Sequence, residues 1–352
     1  MTGNLTCRLF EGEDLESLER YYVGSRGKLL DRVLWEWQYR KNIASRGDPP
    51  GFVCVDSTTG EFIGCILSTP WLYRYRDDVY YCTVGSDAFI RQEYRGKNLY
   101  NHLASYALTE GVPLLGSFRV LFYNDVTRTA RTSAPTLIKT SISIRVQNPK
   151  KFSECIFGNS MKATLSNHIL RHFKRKSKPS GRIKVHEGNL NGFAEAYEEW
   201  TERDTYIHTP RTKDYLRWRF KERPSGGYGF YSVWQGDEQV GYMALLHDPK
   251  FNQHPLRTLT ISDYYIKNND HGVFRSAVEY VVNMFPESDI VTARTFSTPG
   301  YQKSLKDIGF LDSLHFPLNQ VLRPGGMGLR VYDERCRSFN EKPWYLTQAD
   351  CF

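Results

Sequence analysis

The 352-residue chain repeats itself once, with a period near 176 residues. A repeat constrains the architecture strongly, because similar segments fold into similar units. Ser86-Asp87, for example, recurs as Ser262-Asp263 at an offset of 176. The blocks that recur in the same order are 8–22 with 184–200, 34–40 with 215–221, 51–67 with 229–245, 83–90 with 260–266, and 101–108 with 274–282. The chain is therefore predicted to contain two domains of similar fold.

Each half shows the same predicted series of elements. Residues 51–67 and 229–245 both indicate a strand, a tight turn and a second strand. The full series is strand, helix, helix, hairpin, strand, helix, strand, helix and strand, which predicts a mixed α/β fold. In the first half, the last helix and strand are aligned on residues 136–146.

The predicted domain bounds follow from the repeat and from a basic stretch between its two copies. We predict an N-terminal domain over 1–165, a linker over 166–183 and a C-terminal domain over 184–352. The fold class is α/β (α+β), with two tandem domains that each hold a mixed, mostly antiparallel sheet flanked by helices.

The composition favours a soluble, cytoplasmic protein. Hydrophobic residues make up 40% of the chain, which suffices for real cores, and no run of about 18 apolar residues predicts a membrane span. The N-terminus is polar and acidic, unlike a signal or transit peptide. Seven scattered cysteines without a CxxC pair, and histidines without metal-ligand spacing, predict no metal site.

The net charge of +8 is concentrated in residues 168–184, which hold seven Lys or Arg and no acid. We interpret this stretch as a solvated linker. Binding to nucleic acid or to an anionic membrane surface is the minor alternative.

Residues 91–103, RQEYRGKNLYNHL, join a strand-like run to a helix-like run. The first turn of a helix has unpaired N–H groups and the positive end of the helix dipole, so it binds phosphate. Gly96 lets a phosphate approach the backbone, and Arg95 and Lys97 add positive charge. Asn98 tolerates left-handed geometry, whereas Tyr100 places a bulky ring at the loop. The loop is predicted to hold an anion, with a plain turn as the alternative.

The stretch DAFIRQEYRGKNLYNHLASYAL (87–108) resembles the acyl-CoA motif of the GNAT N-acyltransferases, in which a long strand runs into Arg-x-x-Gly-x-Gly/Ala and a helix. KDIGF (306–310) resembles the closing motif of that family. The whole chain is similar to tandem GNAT proteins, some of them associated with the cell envelope. This resemblance implies acetyl-CoA as acyl donor, no metal, and direct transfer of the acetyl group to an amine acceptor, such as an amino sugar or envelope precursor.

The resemblance also implies which residues bind the acyl-CoA. The backbone of the strand before the loop aligns the pantetheine arm and polarises the thioester. The implied cofactor-binding residues are Phe89, Ile90, Arg95, Gly96, Lys97, Asn98, Leu99, Tyr100 and Asn124. The matching loop of the second half, 267–276, carries Asp270, which repels phosphate. We therefore expect the second half to be a degenerate copy.

Candidate catalytic residues are Asp87 and Tyr123. Transfer to an amine needs a base for the amine proton and an acid for the leaving thiolate. Asp87 lies on the strand beside the expected thioester, although its recurrence as Asp263 favours a structural role. The family's usual acid is a Tyr in the last helix, but Leu137 and Leu305 occupy that position here. Tyr123 at a strand end is the substitute, with Tyr100 as another choice.

Two alternatives stay open beside the acyltransferase. One is a catalytically inactive tandem GNAT protein that serves in binding or assembly. The other is a Fem-like aminoacyltransferase, which also has paired GNAT folds and takes aminoacyl-tRNA. The expected partners are acyl-CoA and a small amine-bearing acceptor, and a homodimer is a further expectation.

Overall fold

A computed structural model describes most of the chain. The described residues are 5–26, 29–47, 50–96, 98–110, 115–123, 136–140, 142–173, 181–251, 254–294, 299–312, 317–318 and 325–350. Among these, no helix is long and apolar enough to cross a bilayer, and no group of three or more His, Cys, Asp or Glu is placed to hold a metal ion.

The helices are α1 (Asp14–Arg26), α2 (Arg32–Tyr39), α3 (Leu99–Thr109), α4 (Pro149–Phe157), α5 (Met161–Phe173), α6 (Leu190–Glu198), α7 (Lys213–Leu216), α8 (His271–Met284) and α9 (Pro299–Asp307). A π-helical turn, Arg217–Lys221, continues α7. Short 3-10 turns lie at Gln92–Tyr94, Thr201–Thr205, Lys267–Asn269, Glu334–Glu341 and Gln348–Asp350.

The strands of the first half are β1 (Leu5–Leu9), β2 (Gly51–Asp56), β3 (Phe62–Tyr75), β4 (Asp78–Ile90), β5 (Phe118–Tyr123), β6 (Thr136–Thr140) and β7 (Ile142–Val146). Those of the second half are β8 (Ile183–Glu187), β9 (Ile207–His208), β10 (Tyr228–Gln235), β11 (Glu238–Asp248), β12 (Thr258–Ile266), β13 (Ile290–Arg294), β14 (Leu311–Asp312), β15 (Gly325–Val331) and β16 (Trp344–Tyr345).

Two mixed sheets with matching strand orders form the centre of the protein. The first runs β1-β2-β3-β4-β5-β15-β6, and the second runs β8-β10-β11-β12-β13-β7-β14. The main ladders of each sheet are antiparallel except for the pairs β4–β5 and β12–β13. The predicted fold class, two tandem units with mixed, mostly antiparallel sheets and flanking helices, is confirmed.

Each half contributes to the sheet of the other half, and the short strands β9 and β16 of the second half also join the first sheet, where β9 pairs with β3. Strand β15, from the end of the chain, pairs with β5 and β6 in the first sheet. Strand β7, from the first half, pairs with β13 and β14 in the second sheet. Because each sheet holds a strand from the other half, neither sheet is complete within the predicted bounds 1–165 and 184–352. Those bounds stay a prediction.

Both sheets contain a β-bulge at the same position of the repeat. Between β3 and β4, Leu67 faces Asp87 while Ser68 faces Gly85, so Ser86 is an extra residue. Between β11 and β12, Ala244 faces Asp263 while Leu245 faces Ile261, so Ser262 is the extra residue. A β-bulge at matched serines is a strong sign of common architecture, since bulges are specific local features.

The largest core cluster contains residues of both halves. Trp37 from α2 and Trp218 from the π-turn are 2% and 1% exposed and belong to it. Trp35 packs in a second cluster under β2, β3 and β4, and Cys54, Cys65 and Cys82 are fully buried. The tryptophans thus serve core packing, where their large apolar area contributes most.

Two local features differ from the sequence-based expectation. The prediction of a helix over residues 137–142 is wrong, because Thr136–Thr140 forms strand β6. The β-branched residues of this segment favour a strand over a helix. The predicted linker, 166–183, begins inside α5. Ser166 and Leu170 are buried there, at 0% and 2% exposure, so this helix packs by one face.

Candidate functional site

The predicted anion loop forms a left-handed turn at the start of α3. Gly96 has φ of 79° and Asn98 has φ of 60°, which are conformations that favour Gly and Asn. Arg95 is exposed, and its Nε donates to the carbonyl of Ile90 at 3.0 Å. Asn98 is the N-cap residue of α3 but makes no side-chain capping bond. Among the described residues, the N-cap side chain thus leaves the first-turn N–H groups to another acceptor.

A concavity of about 380 Å³ opens at this turn. It is lined by Ile90, Tyr94, Arg95, Gly96, Asn98, Leu99 and Tyr100. The Tyr100 side chain is 45% exposed, whereas Leu99 is 3% exposed and anchors the helix in the core. The structure thus brings together six of the predicted cofactor-binding residues, namely Ile90, Arg95, Gly96, Asn98, Leu99 and Tyr100.

Strand β4 has one open edge on the way to this turn. It pairs with β3 as far as Ile90, which faces Gly64. It pairs with β5 only over Thr83–Gly85. From Ser86 to Ile90, no other described strand pairs with the β5-side edge, so the two parallel strands diverge there. Within the described residues, the backbone of Ser86–Phe89 has no strand partner on that edge, so an extended ligand could pair with it.

Asp87 lies beside the bulge and is fixed by a buried tyrosine. The Tyr39 hydroxyl donates to Asp87 Oδ2 at 2.8 Å and lies 2.7 Å from Ser86 Oγ. Burial, and then the charge of Asp87, raise the pKa of Tyr39 well above its usual value, so the hydroxyl remains a donor. Asp87 itself is half-buried, and Phe89 on the same face packs against Phe62.

The matching helix of the second half already has an acceptor at its N-terminus. Asp270 caps α8, and its Oδ1 accepts from the N–H groups of Gly272 at 2.8 Å and Val273 at 3.0 Å. A carboxylate in this position satisfies the orphan donors and the helix dipole. An external phosphate would have to displace it.

Asp263, the counterpart of Asp87, has different surroundings. It is fully buried and accepts from Arg211 Nη2 at 3.2 Å and from Thr347 Oγ1 at 2.8 Å. Asp350 Oδ2 also accepts from Arg211, at 2.8 Å. The carbonyl of Tyr264, in the stretch of β12 that corresponds to the open edge of β4, accepts from the Tyr345 hydroxyl. Residues 345–350 therefore pack against the part of β12 that corresponds to the open edge of β4.

Some predicted site residues do not join this arrangement. Lys97 and Asn124 lie outside the described residues. Tyr123 ends strand β5, where Gly326 of β15 faces it.

The sequence analysis missed Tyr39, because a tyrosine in a helical apolar pattern indicates core packing. Tyr39 aligns with Phe220 in the repeat, so only the first copy carries a hydroxyl at this position. That difference is the one sequence feature that could have pointed to Tyr39.

Together, the strand order, the diverging parallel strands and the strand–turn–helix at Arg95 define the fold of the GCN5-related N-acetyltransferases, present twice. Comparison with solved structures supports this. A GCN5-related N-acetyltransferase from Anabaena variabilis is 12% identical, with a TM-score of 0.61 over 93% of this chain and 72% of that one. At this identity the likeness establishes the fold.

Two further structures share the fold. Saccharomyces cerevisiae N-myristoyltransferase, solved with bound myristoyl-CoA, is 11% identical, with a TM-score of 0.57 over 94% of this chain and 80% of that one. An Enterococcus faecalis protein described as a probable N-acyltransferase is 10% identical, with a TM-score of 0.58 over 93% of this chain and 72% of that one. Neither a family model nor a curated protein sequence matches this chain.

Proposed function

We propose that this chain is an acyl-CoA-dependent N-acyltransferase whose first half binds the donor. The observation that carries the proposal is the contrast between the two copies. In the first half, no described strand pairs with the β5-side edge of β4 beyond Gly85, and no side chain caps the N-terminus of α3, which follows Arg95 in the chain. In the second half, Tyr345 bonds the corresponding strand and the Asp270 carboxylate caps the helix.

The donor we propose is acetyl-CoA. Its pyrophosphate would lie at the first turn of α3, where Arg95, Gly96 and Asn98 supply charge and close backbone approach. Its pantetheine arm would follow the open edge of β4 past Phe89 and Ile90, with Asn124 at the end of the adjoining strand. Lys97 would add a second cation.

The transfer requires no covalent enzyme intermediate. The amine nitrogen forms a bond to the thioester carbon, and the carbon–sulfur bond breaks. Backbone N–H groups of β4 would stabilise the oxygen that gains negative charge. Asp87 would receive the proton that the amine loses, and Tyr123 would protonate the departing thiolate. Tyr39 would hold the Asp87 carboxylate in one orientation.

The acceptor we propose is a small amine, of the amino-sugar or cell-envelope precursor type. This choice rests on the resemblance to tandem GNAT proteins. The fold is shared with an N-myristoyltransferase bound to myristoyl-CoA, so a longer acyl chain is the direct competitor to acetyl.

Thermal unfolding with acetyl-CoA, myristoyl-CoA and charged tRNA tests the proposal. A ligand at a hundredfold excess over its Kd stabilises the folded protein by about 2.7 kcal/mol. We expect acetyl-CoA to raise the Tm of the wild type and of Gly272→Glu, but not of Arg95→Glu. Release of the free CoA thiol with glucosamine as acceptor then measures turnover.

Other outcomes would assign the protein differently. A Tm shift with acyl-CoA but no turnover on a panel of amines would favour an inactive binding protein. Stabilisation by charged tRNA alone would favour the aminoacyltransferase. No shift with either acyl-CoA would contradict the proposal.

A further inference from the structure

A second concavity, of about 250 Å³, lies on the sheet of the second half. Its floor is made by Thr258, Thr260 and Ser262 of β12 and by Thr292 of β13. Ile142, from the strand that the first half contributes, forms part of the wall. The cavity therefore depends on the strand exchange.

The floor of this cavity is polar although it lies in the middle of a sheet. Thr258, Ser262 and Thr292 are 5%, 2% and 7% exposed, and Thr260 Oγ1 lies 2.8 Å from Thr292 Oγ1. Central strands usually carry aliphatic side chains at such positions, because buried hydroxyls cost free energy unless they are hydrogen-bonded. A row of hydroxyls suits a polar ligand.

The walls carry an excess of positive charge. The cationic lining residues are Arg219, Arg223, Lys250 and Arg294. The lining holds one carboxylate, Asp248, which is exposed and whose Oδ1 accepts from the backbone N–H of Lys250 at 2.8 Å. Four cations therefore face a single carboxylate at the rim.

Two of these guanidinium groups lie over the same buried ring, since the Cζ atoms of Arg219 and Arg223 are each 5.6 Å from the centroid of Trp37. Arg219 is 2% exposed, and its Nε donates to the carbonyl of Ala349 at 2.7 Å. Arg223 donates from Nη1 to the Tyr228 hydroxyl, while its buried Nε has no hydrogen-bond partner in the described part of the chain. Burial, and then the charge of Arg219, lower the pKa of Arg223.

We propose that this cavity binds the phosphate or carboxylate group of a small molecule. Arginine presents planar, paired donors that match both oxyanions. Only one hydroxyl of the Thr260–Thr292 pair donates to the other, so the second can donate to the ligand. The volume equals that of about eight waters at ≈ 30 Å³ each, which admits a small organic anion. The second half then serves as a ligand-binding domain, whether or not the first half transfers an acyl group.

Calorimetric titration tests this with two probes, inorganic phosphate and malonate, at constant ionic strength set with chloride. We expect one of them to bind the wild type with 1:1 stoichiometry. Arg223→Gln and Lys250→Gln should each weaken that binding at least tenfold. Arg275→Gln is the matched control, because Arg275 is an exposed arginine of α8 in the same half. Lys250 is exposed, so its substitution leaves the fold intact even if Arg223→Gln does not.

The relative affinity for the two probes identifies the anion class. Binding of neither probe would overturn the inference, and so would equal affinities for Lys250→Gln and Arg275→Gln. Arg95→Glu should retain the affinity for the probe. If Arg223→Gln instead loses acetyl-CoA binding while Arg95→Glu keeps it, the cavity is the CoA site and the inference of a separate site is wrong.

Discussion

Trp37 and Trp218 bond each other's backbone across the junction of the two halves. The Trp37 Nε1 donates to the carbonyl of Trp218 at 2.8 Å, and the Trp218 Nε1 donates to the carbonyl of Trp37 at 3.0 Å. Their rings stack with centroids 4.8 Å apart. Reciprocal contacts of this kind arise at twofold interfaces, where residue i meets j and j meets i. The halves thus pack as a dimer does, although they belong to one chain.

Trp37→Phe and Trp218→Phe test that relationship through stability. Each substitution keeps an aromatic ring but leaves a buried carbonyl without its donor, which costs about 1–3 kcal/mol. Urea unfolding of both single variants and the double variant should give an interaction energy above about 0.5 kcal/mol, because the rings are in contact. Trp234→Phe, at a partly buried position in β10, should cost less than either. Additive effects would show that the two rings act independently.

The turn at Gly96 is expected to control acyl-CoA binding through its backbone conformation. Gly96 has φ of 79° and open space around it, so Gly96→Ala should cost about 1–2 kcal/mol through backbone strain alone. The strain should distort the anion turn and lower acetyl-CoA affinity about tenfold, measured by titration. Asn98→Gly should retain the affinity, since glycine adopts the left-handed conformation freely.

Gly236 provides the control for this prediction. It also has positive φ, 63°, and nothing within 4 Å of an added methyl group, but it lies in the β10–β11 hairpin. Gly236→Ala should cost similar stability and leave acetyl-CoA affinity unchanged. If both alanine variants lowered affinity equally, the effect would follow from stability and not from the turn.

The sequence predicted the features that depend on local pattern. The repeat located matching strands and helices, and it paired Ser86 with Ser262. That both serines lie at a β-bulge is a finding of the structure, which the sequence analysis did not predict. The loop at 95–100 was predicted to hold an anion because glycine and cations lie at a strand–helix junction. The structure shows a left-handed turn and a concavity there, and the anion stays a prediction. The strand, helix and loop predictions each depend on only a few neighbouring residues, so the sequence alone contains the information they need.

The features that the sequence did not predict depend on distant partners. Strand β7 lies between β13 and β14 of the second sheet, and β15 lies between β5 and β6 of the first. These pairings join residues far apart in the sequence, so they have no local signature. The role of Tyr39 depends on contact with Asp87, which lies 48 residues further along the chain. Asp270 was expected only to repel phosphate; that it caps α8 depends on the turn geometry before the helix.

His208 predicts a loss of stability in acid. It is fully buried, its Nδ1 lies 3.1 Å from the Tyr206 carbonyl, and its Nε2 lies 3.0 Å from the Tyr197 hydroxyl. A carbonyl only accepts, so Nδ1 carries the proton and Nε2 accepts from Tyr197. Burial lowers the pKa of His208 to about 3. The imidazole therefore stays neutral in the folded protein.

The sign of the pH effect follows from linkage. The unfolded chain takes up a proton at His208 below pH ~6.5, whereas the folded protein does so only near pH 3. The contribution of neutral His208 to the free energy of unfolding is fully present above pH ~6.5. It is lost at about 1.4 kcal/mol per pH unit as the pH falls from ~6.5 towards 3. Between pH 7.5 and 5.0, His208→Gln should lose about 2 kcal/mol less than the wild type in urea unfolding. His186→Gln, at an exposed position, should follow the wild type; a His208→Gln curve that also follows it would contradict the prediction.

Asp87 and Asp263 occupy matched positions but should respond differently to the same substitution. Asp87→Asn keeps an oxygen that accepts from Tyr39, so stability should change by less than about 1 kcal/mol. If Asp87 takes the proton from the amine, kcat should fall by about 10²–10⁴-fold. The Tm shift with acetyl-CoA should persist, because the donor is held at the turn and not by this carboxylate.

Asp263→Asn should have the opposite signature. It removes one of the two carboxylates that pair with the buried Arg211, and an incompletely compensated buried charge costs about 3–5 kcal/mol. The activity of the molecules that remain folded should be unchanged, because Asp263 lies in the half that we do not expect to bind the donor. There, Tyr345 bonds the strand and Asp270 caps the helix. An Asp87→Asn variant that loses stability and keeps kcat would make both aspartates structural. The proton of the amine would then have to leave through water.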